Sequence, residues 1–205
     1  TSQTVVVGSV LSEIVVVNGS KARPVKDVTL SGLKFEHSRP HYNAAYPACG
    51  GGDFCTAATG AVVIRGAEDV TVRASEFHHT GGNGIAVLEY SRSVSIESNH
   101  FSNTGEVPIN LQGKTKMMDA TAGDFPLGTK IIGNLIHDVS VKLRGGCAIF
   151  QSLAARTEIV GNVLFSGPRA GVNFNDAMGG GSVVQGNLVF DFVYVNKQSA
   201  VAPVI

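Results

Sequence analysis

The sequence predicts an all-β fold, a right-handed, single-stranded parallel β-helix of about six rungs. A repeat with a period of 24 residues runs without gaps from Gly60 through Gly84 to Pro108, and the same period separates Cys147 from Gly171. A fixed period in this range is typical of one supersecondary unit stacked on copies of itself. Each copy holds short alternating apolar runs between Gly, Asn and Ser, which predicts strands, and no apolar helical period lasts three turns.

A second regularity is an asparagine at the corner between two strands in four of the rungs. These residues are Asn99, Asn134, Asn162 and Asn187. Asparagine tolerates the left-handed backbone of a tight turn, and stacked amides can hydrogen-bond from rung to rung. We therefore assign this ladder a structural role and expect no function from it.

Length and charge indicate a single domain, residues 1–205, with an atypical tail over 193–205. The 16 basic and 16 acidic residues cancel, and they form no basic stripe or like-charge run. We therefore expect no nucleic-acid partner and no anionic membrane partner. The longest apolar stretches, such as residues 14–17, are too short to span a bilayer.

The three cysteines do not make a disulfide scaffold. Cys49 and Cys55 bracket the loop ACGGGDFC, and the spacing leaves open a disulfide that closes a small ring or two free thiols. Cys147 opens a rung at a position otherwise held by glycine or proline, where a small buried residue fits. No Cys/His cluster surrounds it, and no acidic cluster has calcium spacing, so we expect neither a metal nor another cofactor.

Aligning the repeats on the 24-residue period predicts which side chains of one strand face the core. The predicted inward columns are apolar throughout: Ala61, Ile85, Ile109, Ala148, Val172, and Val63, Val87, Leu111, Phe150, Phe174. The predicted outward columns are Val62, Ala86, Asn110, Ile149, Asn173, and Ile64, Leu88, Gln112, Gln151, Asn175. In the early rungs this outward face is apolar, so we expect the insertion at residues 39–59, or a neighbouring part of a longer chain, to cover it.

The later rungs replace the apolar outward residues with amides. A row of amides on a rigid sheet suits the hydroxyl-rich face of a sugar chain, and the alternative is an ordinary solvated sheet face. The row predicts substrate contacts by Asn110, Gln112, Gln151, Asn173 and Asn175. Two insertions, residues 39–59 and 113–128, border the same strand, and together they predict the walls of a groove.

Asp176, in the segment NFND, is the best-placed candidate for a catalytic carboxylate. It adjoins the amide row and faces Arg169 of the segment GPRAG, and the alternative role is a cap on the turn at residues 179–181. Glycosidases usually need two carboxylates. Glu89 shares the column of Asp176 but lies three rungs away, whereas Asp119 and Asp124 of the second insertion can reach over. We expect Arg169 to contact the substrate as well, and in a lyase or an epimerase it would serve either as the base or as the group that stabilises the enolate-like charge.

The histidines recur at one corner of the coil. His37, His78, His79 and His137 each follow a core strand residue, which favours a turn preference over a catalytic pair. His41, in the first insertion, is a better candidate for contact with a sugar.

Several segments together resemble the right-handed β-helix repeat proteins of the pectin-lyase-like superfamily, and most closely the extracellular β-helix glycoside hydrolases. They are VKDVTLSGLKFEHS, GAVVIRGAEDVTVRASEFHHTGGNGIAV, GTKIIGNLIHDV and GPRAGVNFNDAMGGGSVVQGNLVF. The resemblance implies secretion and action on polysaccharide, and it places Asn173, Asn175 and Asp176 in the family's groove. This chain departs from the family by ending in VYVNKQSAVAPVI without any tryptophan, which predicts a fragment of a longer solenoid.

Sequence and resemblance together predict a carbohydrate-active protein. The leading hypothesis is a glycoside hydrolase with Asp176 as acid or base and a polysaccharide or oligosaccharide as its partner. The alternatives are a polysaccharide lyase or epimerase, and a non-catalytic module that binds glycan or extends a larger solenoid.

Overall fold

The computed structural model describes residues 6–41, 56–114, 119–175 and 180–193, which form short strands and no α-helix. In chain order the strands are β1 (Val15–Asn18), β2 (Val25–Lys26), β3 (Thr29–Ser31), β4 (Lys34–Glu36), β5 (Val62–Glu68), β6 (Thr71–Arg73), β7 (Glu76–His78), β8 (Ile85–Arg92), β9 (Ser95–Glu97), β10 (His100–Ser102), β11 (Ile109–Gln112), β12 (Pro126–Leu127), β13 (Lys130–Ile132), β14 (Leu135–His137), β15 (Cys147–Ser152), β16 (Glu158–Val160), β17 (Val163–Gly167), β18 (Ala170–Phe174), β19 (Val183–Gln185) and β20 (Leu188–Phe192).

The strands pair in parallel to form three sheets that run the length of the molecule. The first sheet has the order β1-β5-β8-β11-β15-β18, with β2 and β12 added at its side. The second runs β3-β6-β9-β13-β16-β19, and the third runs β4-β7-β10-β14-β17-β20. The chain visits the sheets in rotation, so each turn of the coil contributes one strand to each sheet. This arrangement confirms the predicted parallel solenoid of about six rungs. The described part of the chain holds no helix that is long and apolar enough to cross a membrane.

The core consists of columns of identical or similar side chains, one from each rung. Phe35, Phe77 and Phe101 of the third sheet stack with ring centroids 4.6 Å apart. Ile96 and Ile131 occupy successive rungs of the second sheet and are fully buried. Because every rung places the same kind of side chain at the same point, the core is continuous along the axis.

The predicted asparagine ladder is confirmed. The side-chain oxygens of Asn134, Asn162 and Asn187 each accept hydrogen bonds, at 2.8–3.1 Å, from the main-chain and side-chain nitrogens of the asparagine one rung earlier, and Asn99 is the first donor. The ladder closes the corner between the second and third sheets. The corner after the third sheet carries His37 and His79 in left-handed conformations, with φ of 54° and 50°, so these two histidines occupy the predicted turn position.

The first sheet does not keep the uniform 24-residue period, and several predicted side-chain directions are wrong for that reason. Val62 pairs with Ile85, and Ile149 pairs with Val172, so these steps are 23 residues long. A shift of one residue turns every side chain of a strand to the opposite face. Val62, Ile64 and Ile149 therefore belong to the core, although we expected them to face outward.

The same shift places on the outer face of the first sheet two residues that we expected in the core. Val63 packs in a separate buried cluster with Ala86 and Leu88 on the outer face of the first sheet. Phe150 is fully buried, but it packs with Val107 and Cys147 in another outer cluster. Burial also raises the pKa of the Cys147 thiol, which agrees with the structural role expected for it.

Phe174 lies in β18, the last strand in the order of the first sheet. It shares the register of the core residue Leu111 but is 40% exposed. Val184 and Val189, which continue the core columns of the other two sheets, are 53% and 47% exposed. Within the described residues, core positions of the final rung are therefore open to solvent on one side.

Candidate functional site

The expected row of exposed amides is not present on the first sheet. Asn110 is in register with Phe150 and Asn173, whereas Gln151 is in register with Leu111 and Phe174. Asn110, Gln112 and Gln151 are 0%, 6% and 1% exposed. The expectation that these three amides share an exposed surface is therefore wrong, and their predicted contacts with substrate stay untested.

The buried amides instead hold main-chain carbonyls. The Nδ2 atom of Asn110 donates to the carbonyl oxygen of Ala57 at 3.1 Å, and the Nε2 atom of Gln112 donates to that of Thr56 at 3.0 Å. These bonds hold the end of the first insertion against the outer face of the sheet. Asn110 and Gln112, which we expected to face solvent, are therefore covered by residues 56–57. Residues 42–55 of that insertion, including Cys49 and Cys55, lie outside the described residues.

The other predicted site residues lie near the end of the first sheet. Asn173 and Arg169 are half-buried, and Asn175 is 8% exposed with its main-chain nitrogen donating to the carbonyl oxygen of Gln151 at 2.8 Å. Asp176 lies outside the described residues, so its role as acid or base stays a prediction. His41 is only 3% exposed, and its Nε2 atom lies 3.2 Å from the carbonyl oxygen of Ser12, so it is not the exposed sugar contact that we expected.

A polar cleft lies on the first sheet, where β1 and β11 end and where β5 and β8 pass through Gly66 and Glu89. Its volume is about 560 Å³. The charged residues that line it are Lys21, Arg65, Glu89, Lys114 and Asp124, and the uncharged polar ones include Asn18, Ser20 and Tyr90. We call this feature the corner cleft. It is the candidate functional site.

A β-bulge directs Glu89 and Tyr90 into the corner cleft. Arg65 pairs with Leu88, but Ala67 pairs with Ser91, so the single residue Gly66 on β5 lies opposite two residues on β8. Glu89 takes the left-handed conformation, with φ of 49°. Paired residues of β5 and β8 are 23 positions apart before the bulge and 24 apart after it, because the bulge takes up one extra residue of β8. Bulges of this kind change the direction of side chains.

The floor of the corner cleft depends on a close approach of two chain segments. A Cβ atom added to Gly66 would lie 2.2 Å from the carbonyl carbon of Gly19. No side chain fits between the segments, so both positions require glycine. This contact brings Asn18 and Lys21 to the cleft beside Arg65, whose Nε atom donates to the side-chain oxygen of Asn18 at 2.9 Å.

Described residues of the second insertion form one wall of the corner cleft, which is not the groove along the amide row that we expected this insertion to border. Arg92 holds this wall with two hydrogen bonds, from Nη1 to the carbonyl oxygen of Phe125 at 2.6 Å and from Nη2 to that of Gly123 at 2.8 Å. The guanidinium also lies over the ring of Tyr90, 4.1 Å from its centroid. Lys21 adds a bond from Nζ to the carbonyl oxygen of Ala122 at 2.7 Å. Residues 119–125 are thereby held against the body of the solenoid.

The acidic residues Glu89 and Asp124 both line the corner cleft, and Lys114 contacts each of them. The main-chain nitrogen of Lys114 donates to the main-chain oxygen of Asp124 at 2.7 Å, and its Nζ atom lies 4.0 Å from Oε1 of Glu89. The side chain of Glu89 is 46% exposed, so its carboxylate can reach a bound molecule. The cleft thus offers two acidic groups and three cationic side chains to one ligand.

A hydrogen bond to Glu68 holds the side chain of Tyr90 in place. Its hydroxyl donates to Oε1 of Glu68 at 2.6 Å, and Oε2 of Glu68 pairs with Lys26 at 2.6 Å. The hydrogen bond from Lys26, and then that from Tyr90, lowers the pKa of Glu68. The bond to this carboxylate raises the pKa of Tyr90, so the phenol stays protonated near neutral pH.

The sequence suggests Glu89 and Asp124 only as partners for Asp176, and it does not indicate that they line one cleft. The available signal was the mismatch between 23-residue and 24-residue steps, which falls at Glu89 and Tyr90. Read as a bulge, this mismatch predicts a redirected carboxylate next to the second insertion.

Comparison with known proteins gives one family. A family model described as a right-handed β-helix region matches residues 13–189, which confirms the predicted handedness. No curated protein matches the chain in sequence. Among solved structures, the chain is similar to one titled a glycoside hydrolase, with 10% sequence identity and a TM-score of 0.47 over 90% of this chain and 51% of that chain. The chain thus spans about half the length of that protein.

Proposed function

Since the chain belongs to the right-handed β-helix family, we propose that it binds a polysaccharide in the corner cleft and cleaves glycosidic bonds there. The observation that carries the proposal is that Glu89 and Asp124 line the same solvent-open cleft. The extracellular location implied by the family resemblance belongs to the same proposal.

The lining of the corner cleft suits a carbohydrate. Asn18, Ser20 and Tyr90 offer amide and hydroxyl groups that both donate and accept hydrogen bonds, as sugar hydroxyls require. The cleft is preformed, because Arg92 and Lys21 hold its wall and Glu68 holds Tyr90. A preformed cleft loses little conformational entropy when a chain of sugars binds.

Two carboxyl groups provide the minimum chemistry for hydrolysis. One protonates the glycosidic oxygen, while the other activates water or attacks the sugar directly. Glu89 and Asp124 line the same cleft and are the candidates for this pair, and Nζ of Lys114 lies 4.0 Å from Oε1 of Glu89. Asp176 remains the sequence-based candidate for an additional acid or base.

One observation favours a polysaccharide lyase or epimerase as the second candidate. Lys21, Arg65 and Lys114 line the same cleft as the two carboxylates. In β-elimination a base removes a proton next to a carboxylate of the sugar, and nearby cations stabilise the negative charge that develops. The product then carries a double bond that absorbs ultraviolet light.

A panel of neutral and acidic polysaccharides tests the proposal. New reducing ends without ultraviolet absorbance identify a hydrolase, and reducing ends with it identify a lyase. Glu89→Gln and Asp124→Asn should each lower the cleavage rate by about 10²-fold or more. Glu158→Gln, an exposed carboxylate on β16 of another sheet, is the matched control and should cleave at the wild-type rate.

Other outcomes of the same assays would contradict the proposal or change the assigned residues. Full activity in both cleft variants would remove Glu89 and Asp124 from the mechanism, and loss of activity only in Asp176→Asn would return it to the sequence-based site. Polysaccharide binding without cleavage would identify a non-catalytic module. A wild-type protein that neither binds nor cleaves any member of the panel would refute the proposal.

A further inference from the structure

Three histidines stack on the outer face of the third sheet, away from the corner cleft. His78, His100 and His137 lie on the adjacent strands β7, β10 and β14. The ring centroids of His78 and His100 are 4.9 Å apart, and those of His100 and His137 are 5.0 Å apart. Ser102 lies in register between His78 and His137, and this small side chain leaves room for the ring of His100 between theirs.

The Nε2 atoms of His100 and His137 face each other at 2.8 Å. Two neutral imidazoles at this distance share one proton, so one Nε2 atom donates and the other accepts. The hydrogen-bond network assigns these roles. Nδ1 of His137 lies 2.7 Å from Oδ2 of Asp138 and donates to it, and Oδ1 of Asp138 accepts a bond from Ser166 at 2.7 Å. Neutral His137 therefore presents an unprotonated Nε2 atom to His100.

We propose that His100 and His137 form a binding site for a divalent transition-metal ion, with copper(II) bound most tightly. Metal–imidazole bonds of about 2.0 Å that meet at 90° to 109° place the two nitrogens about 2.8 to 3.3 Å apart, so the rings need only small rotations. The bond from His137 to Asp138 is the arrangement that orients and strengthens histidine ligands of metals. Copper(II) leads the affinity order of divalent metals for nitrogen ligands.

The site takes two protein ligands. His78 is held away from it, because its Nδ1 atom lies 2.5 Å from the hydroxyl oxygen of Ser102 and its Nε2 atom lies 3.4 Å from Oε2 of Glu76. Within the described ranges, no three His, Cys, Asp or Glu residues group around one metal position. Water completes the coordination shell, because the side chain of His137 is 20% exposed. Such a site exchanges its ion readily.

Metal binding at this site moves a proton on His100. The ion takes the Nε2 lone pairs of both histidines, and the proton that His100 carried on Nε2 passes through water to its own Nδ1 atom, so both rings stay neutral. Acid therefore weakens binding, because protons compete for the same two nitrogens. The charged groups around the pair are Glu76, Asp138 and His78, and the two carboxylates favour a bound cation. The remaining neighbour in the stack is the neutral ring of Phe165, at 4.9 Å from His137.

Titration of the tag-free protein with copper(II) tests the site, followed by calorimetry and by electron paramagnetic resonance. We expect one ion bound through two imidazole nitrogens. His100→Gln and His137→Gln should each weaken binding at least tenfold, and Asp138→Asn should weaken it less. His79→Gln is the matched control, because this exposed histidine stacks on His37 at the corner of the same sheet, with ring centroids 5.8 Å apart.

Two results would overturn the proposal. One is a double variant, with His100→Gln and His137→Gln, that binds copper(II) as tightly as the wild type. The other is a loss of binding in His79→Gln with both single variants unaffected. Circular dichroism confirms the fold of each variant. Should either glutamine variant fail to fold, the number of coordinated nitrogens in the wild type and the effect of Asp138→Asn decide the question. Glycan cleavage plays no part in this test.

Discussion

Replacement of Asn134 by alanine should destabilise the solenoid strongly, because this residue lies in the buried middle of the asparagine ladder. Its Nδ2 atom donates to the carbonyl oxygen of Ile96 and to Oδ1 of Asn162, both at 2.9 Å. Its Oδ1 atom accepts bonds from the main-chain nitrogen of Asn99 at 2.9 Å and from the side-chain nitrogen at 3.1 Å. The residue is only 1% exposed, so water cannot replace these partners.

The magnitude follows from the groups that lose a partner. Asn134→Ala removes the side-chain acceptor of the Asn99 main-chain N–H and one donor to the Ile96 carbonyl. Each buried polar group left without its partner costs about 1 to 3 kcal/mol, so we expect a loss of about 4 kcal/mol in the free energy of unfolding. Asn162 loses less, because its Oδ1 atom keeps the bond from the main-chain nitrogen of residue 134.

Urea denaturation measures this loss, and Asn187→Ala supplies the matched control. Asn187 makes the same type of bonds, to Asn162 and to the carbonyl oxygen of Ile159, but it is half-exposed in the last rung. Water can replace the missing groups there, so we expect a loss of about 1 kcal/mol. Equal losses in the two variants, within about 0.5 kcal/mol, would refute the claim that burial gives the ladder its strength.

Three further predictions concern packing, pH and the wall of the cleft. Phe150→Ala should cost about 3 to 5 kcal/mol in urea denaturation, and Phe174→Ala should cost less than about 2, because only Phe150 is fully buried; the reverse order would contradict the corrected register. The pKa of His100 is lowered, first by burial and then by the charges of His137 and His78. The folded state therefore binds fewer protons than the unfolded state, and the free energy of unfolding falls as the pH drops below about 6.5. His100→Gln should flatten this decline between about pH 7 and pH 5, and an unchanged slope would show that His100 is not its source. Arg92→Lys should raise the rate of proteolysis within residues 119–125 about tenfold, because lysine cannot bond both carbonyls; an unchanged rate would mean that other contacts hold the wall.

The sequence was sufficient to predict the class of fold, the number of rungs and the asparagine ladder, because each depends on repetition alone. Phe77 and Phe101, 24 residues apart, pair as their spacing indicates. The first sheet needed more information. Between β5 and β8 the paired residues are 23 positions apart before the bulge at Glu89 and 24 apart after it, and a one-residue error exchanges core and surface.

The functional surface was harder to predict, because the sequence does not show whether an amide side chain is hydrogen-bonded to water or to a buried main-chain carbonyl. We expected Asn110 and Gln112 to belong to an exposed polar row, yet both are hydrogen-bonded beneath Thr56 and Ala57. The corner cleft depends on contacts between distant segments, such as Arg92 with Phe125 and Gly66 with Gly19. No repeat period contains these contacts.

The most direct test of the central claim is hydroxyl-radical footprinting of the protein with and without a polysaccharide that it binds. If the corner cleft is the site, the glycan protects Tyr90 from oxidation and leaves Phe190, on the exposed face of the third sheet, as reactive as before. Full reactivity of Tyr90 in the saturated complex, with protection elsewhere on the solenoid, would contradict the account.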